Sequence, residues 1–331
     1  MTTIKDISAL ANVSPSTVSR ILNYDNTLKV KDETKKKVLA TADKLGYTKH
    51  KHKIKRHLTR VLIVQWYPMD LEIHDPFYLS IRIGAENYLS RNNVEIIRYF
   101  KGQNDLNEKI KNIDGIICIG KFSKNEITKF RKITDKLIFV DMFLERIIVS
   151  YICLDMYHAL EDAINYLYKQ KHRKIGFIGG IEKLSDGTTY YELRKTYFIK
   201  FCKAHHIEYQ KYISLGEFTI ESGYLQAKQM IKNNNLPTAI FVASDQLAFG
   251  VLRAFSEHGI KVPEDISIVS FNNDLNSSFT NPPLTTINAP SEPMGYLAAT
   301  YLLTHIKDKK MYPTCISLPC ELIIRDSVKT L

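Results

Sequence analysis

Residues 3–23 read TIKDISALANVSPSTVSRILN, and this stretch decides how the start of the chain folds. Thr3 is placed to cap a first helix, and Asn12 follows where that helix must stop, because asparagine tolerates a left-handed turn. Between them, four apolar residues recur at helical spacing: Ile4, Ile7, Leu10 and Ala11. The pattern predicts a short amphipathic helix.

Ser14 and Pro15 open a second predicted helix, since serine caps helices and proline suits their first turn. Val18, Ile21 and Leu22 can pack inward. The other side stays outside and carries Pro15, Ser16, Thr17, Ser19 and Arg20. A third helix is predicted from about Asp32 to Leu45, with an apolar side formed by Val38, Leu39, Ala42 and Leu45. Two short helices joined by a tight turn form a helix-turn-helix, whose second helix enters the major groove of DNA.

Positive charge is concentrated at the start of the chain. Residues 1–60 hold eleven Lys, three Arg and five acidic residues, which gives +9 of the total charge of +11. Such asymmetry indicates a polyanion-binding module attached to a nearly neutral body, although charge alone would equally fit a solvated basic tail. The helix-turn-helix pattern decides between the two.

The exposed side of the second helix suits contact with DNA. Ser16 and Thr17 are short enough to let the helix approach base edges closely, and Arg20 is long enough to reach a guanine or a phosphate oxygen. A three-helix bundle that binds another protein is the alternative, and the basic charge disfavours it. The predicted DNA-contacting residues are Thr3, Ser14, Pro15, Ser16, Thr17, Ser19, Arg20, Asn23, Lys29, Tyr47, Lys49, Lys51, Lys53, Ile54 and Lys55.

From Val61 onward, short apolar runs alternate with amphipathic stretches. The predicted strands are Val61–Gln65, Val94–Tyr99, Gly115–Ile119, Leu137–Asp141, Tyr151–Leu154, Lys174–Gly179, Ala239–Ala243 and Ile266–Phe271. The predicted helices are Tyr78–Arg91, Tyr157–Gln170, Glu192–Ala204, Glu221–Lys232 and Gln246–His258. This alternation predicts an α/β body of two lobes with parallel sheets, whose ligand binds beyond the carboxyl ends of the strands.

Several classes of protein are disfavoured by what the sequence lacks. Five cysteines without a CxxC pair support neither a disulfide framework nor a zinc site, and Cys118 is expected to be a core thiol. No apolar run is long enough for a membrane span, and the first residues lack the pattern of a secretory signal, so we expect a cytoplasmic protein. No phosphate-binding glycine loop, HExxH or GxSxG motif is present, so we expect no catalytic activity, metal or cofactor.

The chain resembles the lac repressor/galactose repressor (LacI/GalR) family along nearly its whole length. Residues 3–23 match the N-terminal signature of that family, with Asn12 where relatives usually carry glycine. Matching stretches in the body include 172–180, 244–250, 262–269 and 321–327. Residues 22–28 and the Phe-Asn-Asn run at 271–273 are most similar to the galactose- and β-galactoside-responsive repressors of low-GC Gram-positive bacteria.

The resemblance implies three parts. They are a helix-turn-helix DNA-binding domain at 1–47, a basic hinge at 48–60, and a periplasmic-binding-protein-like domain for effector binding and dimerisation at 61–331. In the last part, the N-lobe is expected at about 61–156 and 290–319, and the C-lobe at about 157–289 and 320–331.

The sequence of the hinge differs from the one common in the family. Residues 48–60 hold six cations, three histidines and no acid, which favours disorder away from DNA. On DNA the segment either inserts Ile54 or Leu58 between base pairs of the minor groove or simply follows the phosphates.

The resemblance also implies an effector site between the lobes. Arg194 matches a family arginine that clamps hydroxyls or a carboxylate, and Phe218 matches an aromatic position that stacks on a sugar. Asn272 stands where most relatives have aspartate, and Tyr197 where they have glycine. The full predicted effector set is Arg194, Phe218, Asn272, Asp141, Ser244 and Tyr78.

The resemblance thus predicts a homodimeric repressor of a carbohydrate-utilisation operon, released from palindromic double-stranded operator DNA by a small sugar, with galactose suspected. One alternative is a catabolite regulator that uses a corepressor protein or a phosphorylated metabolite. The other, a sugar-converting enzyme fused to a DNA-binding module, is disfavoured by the missing catalytic motifs.

Overall fold

The computed structural model describes residues 2–23, 25, 28, 30–47, 58–69, 72, 75–144, 146 and 148–331. The chain divides into two compact units, Met1–His57 and Leu58–Leu331. The first is a three-helix unit, and the second is an α/β unit with two sheets. The predicted fold class is therefore confirmed. Among the described residues, no helix is both long and apolar enough to cross a membrane.

The N-terminal unit consists of α1 (Ile4–Ala11), α2 (Pro15–Leu22) and α3 (Asp32–Lys44). Thr3 caps α1 in a reciprocal arrangement with Asp6, as its position predicted, and Ser14 caps α2. Asn12 ends α1 with φ 54°, so the left-handed turn expected there is confirmed. These local contacts fix where α1 and α2 begin and where α1 ends.

The core of this unit is small, and two leucines lie outside it. The buried residues are Ile7, Ala11, Val18, Ile21, Val38 and Ala42. Leu10 and Leu39 were expected on the packed sides, but they are 62% and 36% exposed. At about 100° per residue, Leu10 lies about 60° around α1 from the nearest buried residue, Ile7, and Leu39 about 60° around α3 from Ala42. The packed sides are narrower than this.

The first sheet of the second unit is entirely parallel, with strand order β11-β5-β4-β3-β1-β2. Its strands are β1 (Arg60–Gln65), β2 (Glu95–Phe100), β3 (Gly115–Ile119), β4 (Leu137–Val140), β5 (Ser150–Leu154) and β11 (Cys315–Leu318). Its helices are α4 (Pro76–Arg91), α5 (Leu106–Lys109), α6 (Lys124–Ile133) and α11 (Ser291–His305). Helices α4 and α11 approach closely because Gly84 and Gly295 lie at the contact, where a Cβ atom would collide with the other helix's backbone.

The second sheet has the order β12-β10-β9-β8-β6-β7 and is parallel except for its edge strand β12. Its strands are β6 (Ile175–Gly180), β7 (Ile213–Gly216), β8 (Ala239–Val242), β9 (Ser267–Asn272), β10 (Thr285–Asn288) and β12 (Glu321–Ile323). Its helices are α7 (Met156–Lys169), α8 (Leu193–Ala204), α9 (Ile220–Lys232) and α10 (Asp245–Glu257). Tyr197 of α8 packs edge-on against Tyr157 of α7, with ring centroids 5.5 Å apart.

The chain passes between the two sheets three times. It leaves the first sheet after β5, returns after β10 to form α11 and β11, and leaves again to form β12. All eight predicted strands and all five predicted body helices are present, with ends within two residues of those expected. Cys118 is fully buried, as predicted. Both sheets direct the carboxyl ends of their parallel strands toward one cavity.

Candidate nucleic-acid interface and ligand cleft

The start of α2 carries a cluster of hydroxyl groups. The Oγ of Ser14 accepts the Thr17 backbone N–H at 3.2 Å and is also hydrogen-bonded to the hydroxyls of Thr17 at 2.8 Å and Ser16 at 2.9 Å. Pro15 and Ser16 are exposed. The N-terminus of a helix bears partial positive charge, so this end of α2 suits approach to a phosphate or a base edge.

Further along α2, Arg20 forms an ion pair with the carboxylate of Asp25. The Nε of Arg20 donates to Asp25 at 2.7 Å, and the Arg20 side chain stays 46% exposed. Asn23 ends the helix and donates to the Ser19 hydroxyl at 3.5 Å. Asp25 was not singled out from the sequence, although it lies five residues beyond Arg20. Its contact limits the directions in which the guanidinium can reach.

The remaining predicted DNA contacts divide into two groups. Thr3 is exposed at the start of α1, and Tyr47 packs against the core of the three-helix unit. Leu58, one of two candidates for insertion into the minor groove, is 48% exposed. The others lie outside the described residues: Lys29, Lys49, Lys51, Lys53, Ile54 and Lys55. Contact with DNA stays a prediction for both groups.

The second unit contains a cavity where the two sheets face each other. All six residues predicted to bind an effector line it: Tyr78, Asp141, Arg194, Phe218, Ser244 and Asn272. Asp141 directly follows β4, Asn272 is the last residue of β9, and Phe218 and Ser244 lie two residues beyond β7 and β8. The cavity therefore lies at the carboxyl ends of the strands, where open α/β sheets bind their ligands.

The first sheet contributes a buried cluster centred on Asp141. The Tyr78 hydroxyl donates to Asp141 at 3.0 Å, and the Lys121 ammonium contacts both the carboxylate and the carbonyl of Asp141. Asp141 has φ 60°, a left-handed backbone conformation that aspartate adopts more readily than most residues. Burial lowers the pKa of Lys121, but the attraction of Asp141 and Glu182 outweighs it, so the pKa is raised and the ammonium stays charged.

The second sheet contributes an arginine that is fixed on all sides. Glu192 accepts the Arg194 Nε and a terminal nitrogen, both at 2.7 Å, and the other terminal nitrogen donates to the Ala243 carbonyl at 2.7 Å. The guanidinium carbon lies 4.7 Å from the centre of the Phe218 ring. Burial raises the pKa of Glu192, but Arg194 outweighs it and lowers the pKa overall. Arg194 thus presents a rigid, charged plane to the cavity.

Ser244 and Asn272 occupy tighter positions. Ser244 is buried and caps α10 by accepting the Leu247 backbone N–H at 3.3 Å, so part of its hydrogen-bonding capacity is already used. Asn272 has φ 111° and is followed by Asn273 with φ 56°. Such a pair of left-handed residues ends β9 abruptly at the edge of the cavity.

Contacts across the cavity join the two sheets. The Phe143 backbone N–H, from the first-sheet side, donates to the Tyr190 hydroxyl at 2.8 Å. The Ser185 hydroxyl donates to Ser123 at 3.2 Å. Both Tyr190 and Ser185 belong to the segment that follows β6. This segment therefore spans the cleft between the sheets.

Several residues that line the cavity were missed from the sequence. The charged ones are Asp75, Lys121, Glu182 and Glu192, and the aromatic ones include Phe77, Tyr190 and Phe271. Asp75 caps α4 by accepting the Phe77 backbone N–H at 3.1 Å, and burial raises its pKa. Position just beyond a strand would have indicated Lys121 and Glu182, which lie two residues past β3 and β6. In the part of the chain that the structure describes, no three His, Cys, Asp or Glu side chains are grouped to hold a metal.

Comparison with known proteins accounts for both units. Residues 3–50 match a family described as bacterial regulatory proteins, lacI family, and residues 164–328 match a periplasmic binding protein-like domain. The chain is 36% identical to the HTH-type transcriptional regulator GalR of Streptococcus thermophilus, over 99% of this chain and 100% of the relative. It is 34% identical to GalR of Lacticaseibacillus casei, over 99% of each.

A solved structure agrees with the fold over nearly the whole chain. The lac repressor dimer bound to operator and the anti-inducer ONPF superposes with a TM-score of 0.72 at 22% identity, covering 99% of each chain. Identity at this level speaks for the fold alone.

Proposed function

The chain belongs to the lacI family of bacterial regulatory proteins and is a transcriptional regulator, and on this premise we propose that it represses a carbohydrate-utilisation operon until a small sugar releases it from DNA. The observation that carries the proposal is the cavity. Arg194 stacked on Phe218, together with Asp141 and Asn272, offers polar groups and an aromatic face in one cleft of a chain that also carries a helix-turn-helix. Such a combination suits a polyhydroxyl ligand.

The regulator acts as a homodimer on a palindromic operator. Leu275 and Phe279 are 78% and 80% exposed, and Phe279 shares a surface groove with Phe249 and Leu252. Exposed apolar groups of this size are typical of an interface. A second copy related by a two-fold axis would bury them and supply a second recognition helix for the other half-site. The site of action is the cytoplasm, where the operator is found.

The sugar acts by shifting a population. A ligand that binds the cleft more tightly in a state with weak DNA affinity moves the protein toward that state. A tenfold loss of operator affinity requires about 1.4 kcal/mol of differential binding, which one or two strengthened hydrogen bonds supply. Galactose is the first sugar to test, because residues 22–28 and the Phe-Asn-Asn run at 271–273 resemble the galactose-responsive repressors.

The test is the fluorescence anisotropy of a labelled palindrome taken from upstream of the protein's own gene. At constant salt, the wild-type protein should bind this DNA, and one neutral sugar, galactose first, should release it. Salt must be fixed because phosphate contacts make the affinity strongly salt-dependent. Tight DNA binding that no sugar alters would contradict release by a small sugar. It would point to a corepressor protein or a phosphorylated metabolite as the signal.

A further inference from the structure

Among the described residues, none donates a hydrogen bond to one buried carboxylate oxygen in the cleft. Among the described residues, the Oε2 atom of Glu182 is buried and has no hydrogen-bond partner, although Glu182 lines the cavity. Its backbone is fixed, since its carbonyl accepts the Tyr190 N–H at 2.8 Å and Ile181 is bonded to Gly216. A buried carboxylate oxygen without a donor is costly, so its retention needs a reason.

The cations of the cleft are already engaged. Among the described residues lining the cavity, the cations are Lys121 and Arg194, and each is paired with a carboxylate, Asp141 or Glu192. Two further carboxylates of the lining, Asp75 and Glu182, form no ion pair with any described residue. The described lining therefore has more negative than positive charge, and it offers an arriving anion no unpaired cation.

From these two observations we infer that Glu182 is a specificity-determining residue for the ligand of this cleft: its free oxygen accepts a hydroxyl hydrogen from an uncharged sugar and repels phosphorylated or carboxylated sugars. This inference rests on the proposed function and narrows it. A neutral sugar supplies the missing donor without adding charge. A phosphate or uronate group would be placed against unpaired carboxylates, and like charges in a desolvated site are strongly unfavourable.

The ionisation of Glu182 provides a second readout. Burial raises the pKa of Glu182 to about 7, and the nearby cations only partly offset this. A hydroxyl that donates to the carboxylate favours its ionised form, so binding should release a proton and tighten as pH rises. Between pH 6 and pH 8 we expect the affinity for a neutral sugar to rise about tenfold. The charged or titratable groups near Glu182 are Lys121, Asp141, Glu192, Arg194, Tyr190, Tyr78 and Asp75.

The experiment is isothermal titration calorimetry of the full-length protein without DNA. The neutral probes are D-galactose and lactose, and the anionic probes are D-galactose 6-phosphate and D-galacturonate. At pH 8, where Glu182 is mostly ionised, wild-type protein should bind a neutral probe at least about tenfold more tightly than either anionic one. Glu182→Gln keeps the shape but removes the charge, so it should narrow this ratio at least threefold and abolish the dependence of affinity on pH. Glu221→Gln, which changes an exposed acid on α9, is the matched control and should behave as wild type.

Each other outcome overturns the inference. Anionic probes that bind as tightly as neutral ones would show that the charge of the cleft does not discriminate between neutral and anionic sugars. An unchanged ratio and an unchanged pH profile in the folded Glu182→Gln protein would remove Glu182 from the site, with folding checked by thermal melting. If no probe binds, the inference fails, whereas repression is judged separately by operator binding. If the Glu182→Gln protein is unstable, the affinities of the wild-type protein for neutral and anionic probes still test the inference.

Discussion

The recognition helix and the ligand cleft hold their polar side chains in opposite ways. On α2 the contacts are exposed and local: Ser14 bonds to Thr17 three residues away, and Arg20 to Asp25 five residues away. In the cleft they are buried, and local pairs such as Glu192 with Arg194 are joined by distant ones. Tyr78 bonds to Asp141 63 residues away, and Arg194 to the Ala243 carbonyl 49 residues away. A substitution on α2 should therefore affect only what that helix touches, whereas one in the cleft also leaves a buried partner unsatisfied.

The largest effect is expected at Arg20. Arg20→Ala removes the long side chain of α2 from both half-sites of a dimer, and each lost arginine–base contact costs about 1–3 kcal/mol. Operator affinity measured by anisotropy should fall at least about a hundredfold. Sugar affinity measured by calorimetry should be unchanged, because α2 and the cleft belong to different compact units of the chain.

The control for this change is Arg91→Ala, which removes an exposed arginine at the end of α4. It should leave specific DNA binding intact. Full repression by the Arg20→Ala protein would show that α2 is not the helix that reads the operator.

Arg194→Ala should have the next largest effect, this time on ligand binding in the cleft. The change removes a guanidinium that stacks on Phe218 and leaves Glu192 buried without its partner. Breaking a buried ion pair costs several kcal/mol, so sugar affinity should fall at least about thirtyfold, and the free energy of unfolding should decrease as well. Operator binding without sugar should persist, giving a repressor that does not respond to inducer.

Arg194→Lys separates charge from geometry in the same position. It keeps the positive charge but loses the paired hydrogen bonds, so we expect an intermediate loss of about tenfold in sugar affinity. Arg131→Ala, at an exposed arginine of α6, is the control. Normal induction of the Arg194→Ala protein would exclude Arg194 from the ligand site.

Ser14→Ala tests whether the effect of losing a helix cap stays within the N-terminal unit. Loss of the cap of α2 should reduce the stability of this unit by about 1 kcal/mol, which hydrogen exchange of the α1–α3 amides would detect. Ser16→Ala, which removes a hydroxyl that caps no helix, should have little effect on exchange. Faster exchange in the strands of the second unit would contradict a locally confined role.

Tyr78→Phe should give the smallest effect of the series. It removes the hydroxyl that donates to Asp141 but leaves the ring in its aromatic surroundings. Since one hydrogen bond contributes about 0.5–1.5 kcal/mol, sugar affinity should fall roughly threefold. Tyr191→Phe, at a tyrosine that is 62% exposed, provides the matched control. An effect as large as that of Arg194→Ala would mean that Tyr78 contacts the ligand directly.

The same contrast explains what the sequence could predict. The capped starts of α1 and α2 and the left-handed Asn12 follow from adjacent residues, so the sequence alone predicted them. The central strands were found because they are continuous apolar runs. Strands β7, β10, β11 and β12 were missed. The equally short β4 and β8 are buried apolar runs, whereas β7, β11 and β12 are only partly buried and β10 begins with two threonines.

The cleft could be predicted only through resemblance. Six of its residues were named in that way, but no local pattern connects Lys121 with Asp141 or places Glu182 beside them. Their proximity arises when parallel strands that are distant in sequence end at one edge. Glu192 lies two residues before Arg194 and was still missed, because a nearby acid on a helix is usually solvent-exposed.

The central claim is that the cleft and the recognition helix are coupled, and reciprocity tests it most directly. Operator affinity is measured with and without saturating sugar, and sugar affinity with and without saturating operator DNA. Thermodynamic linkage requires both ratios to be equal, and we expect each to be at least about tenfold, with sugar weakening DNA binding and DNA weakening sugar binding. Two affinities that each ignore the other ligand would contradict the account.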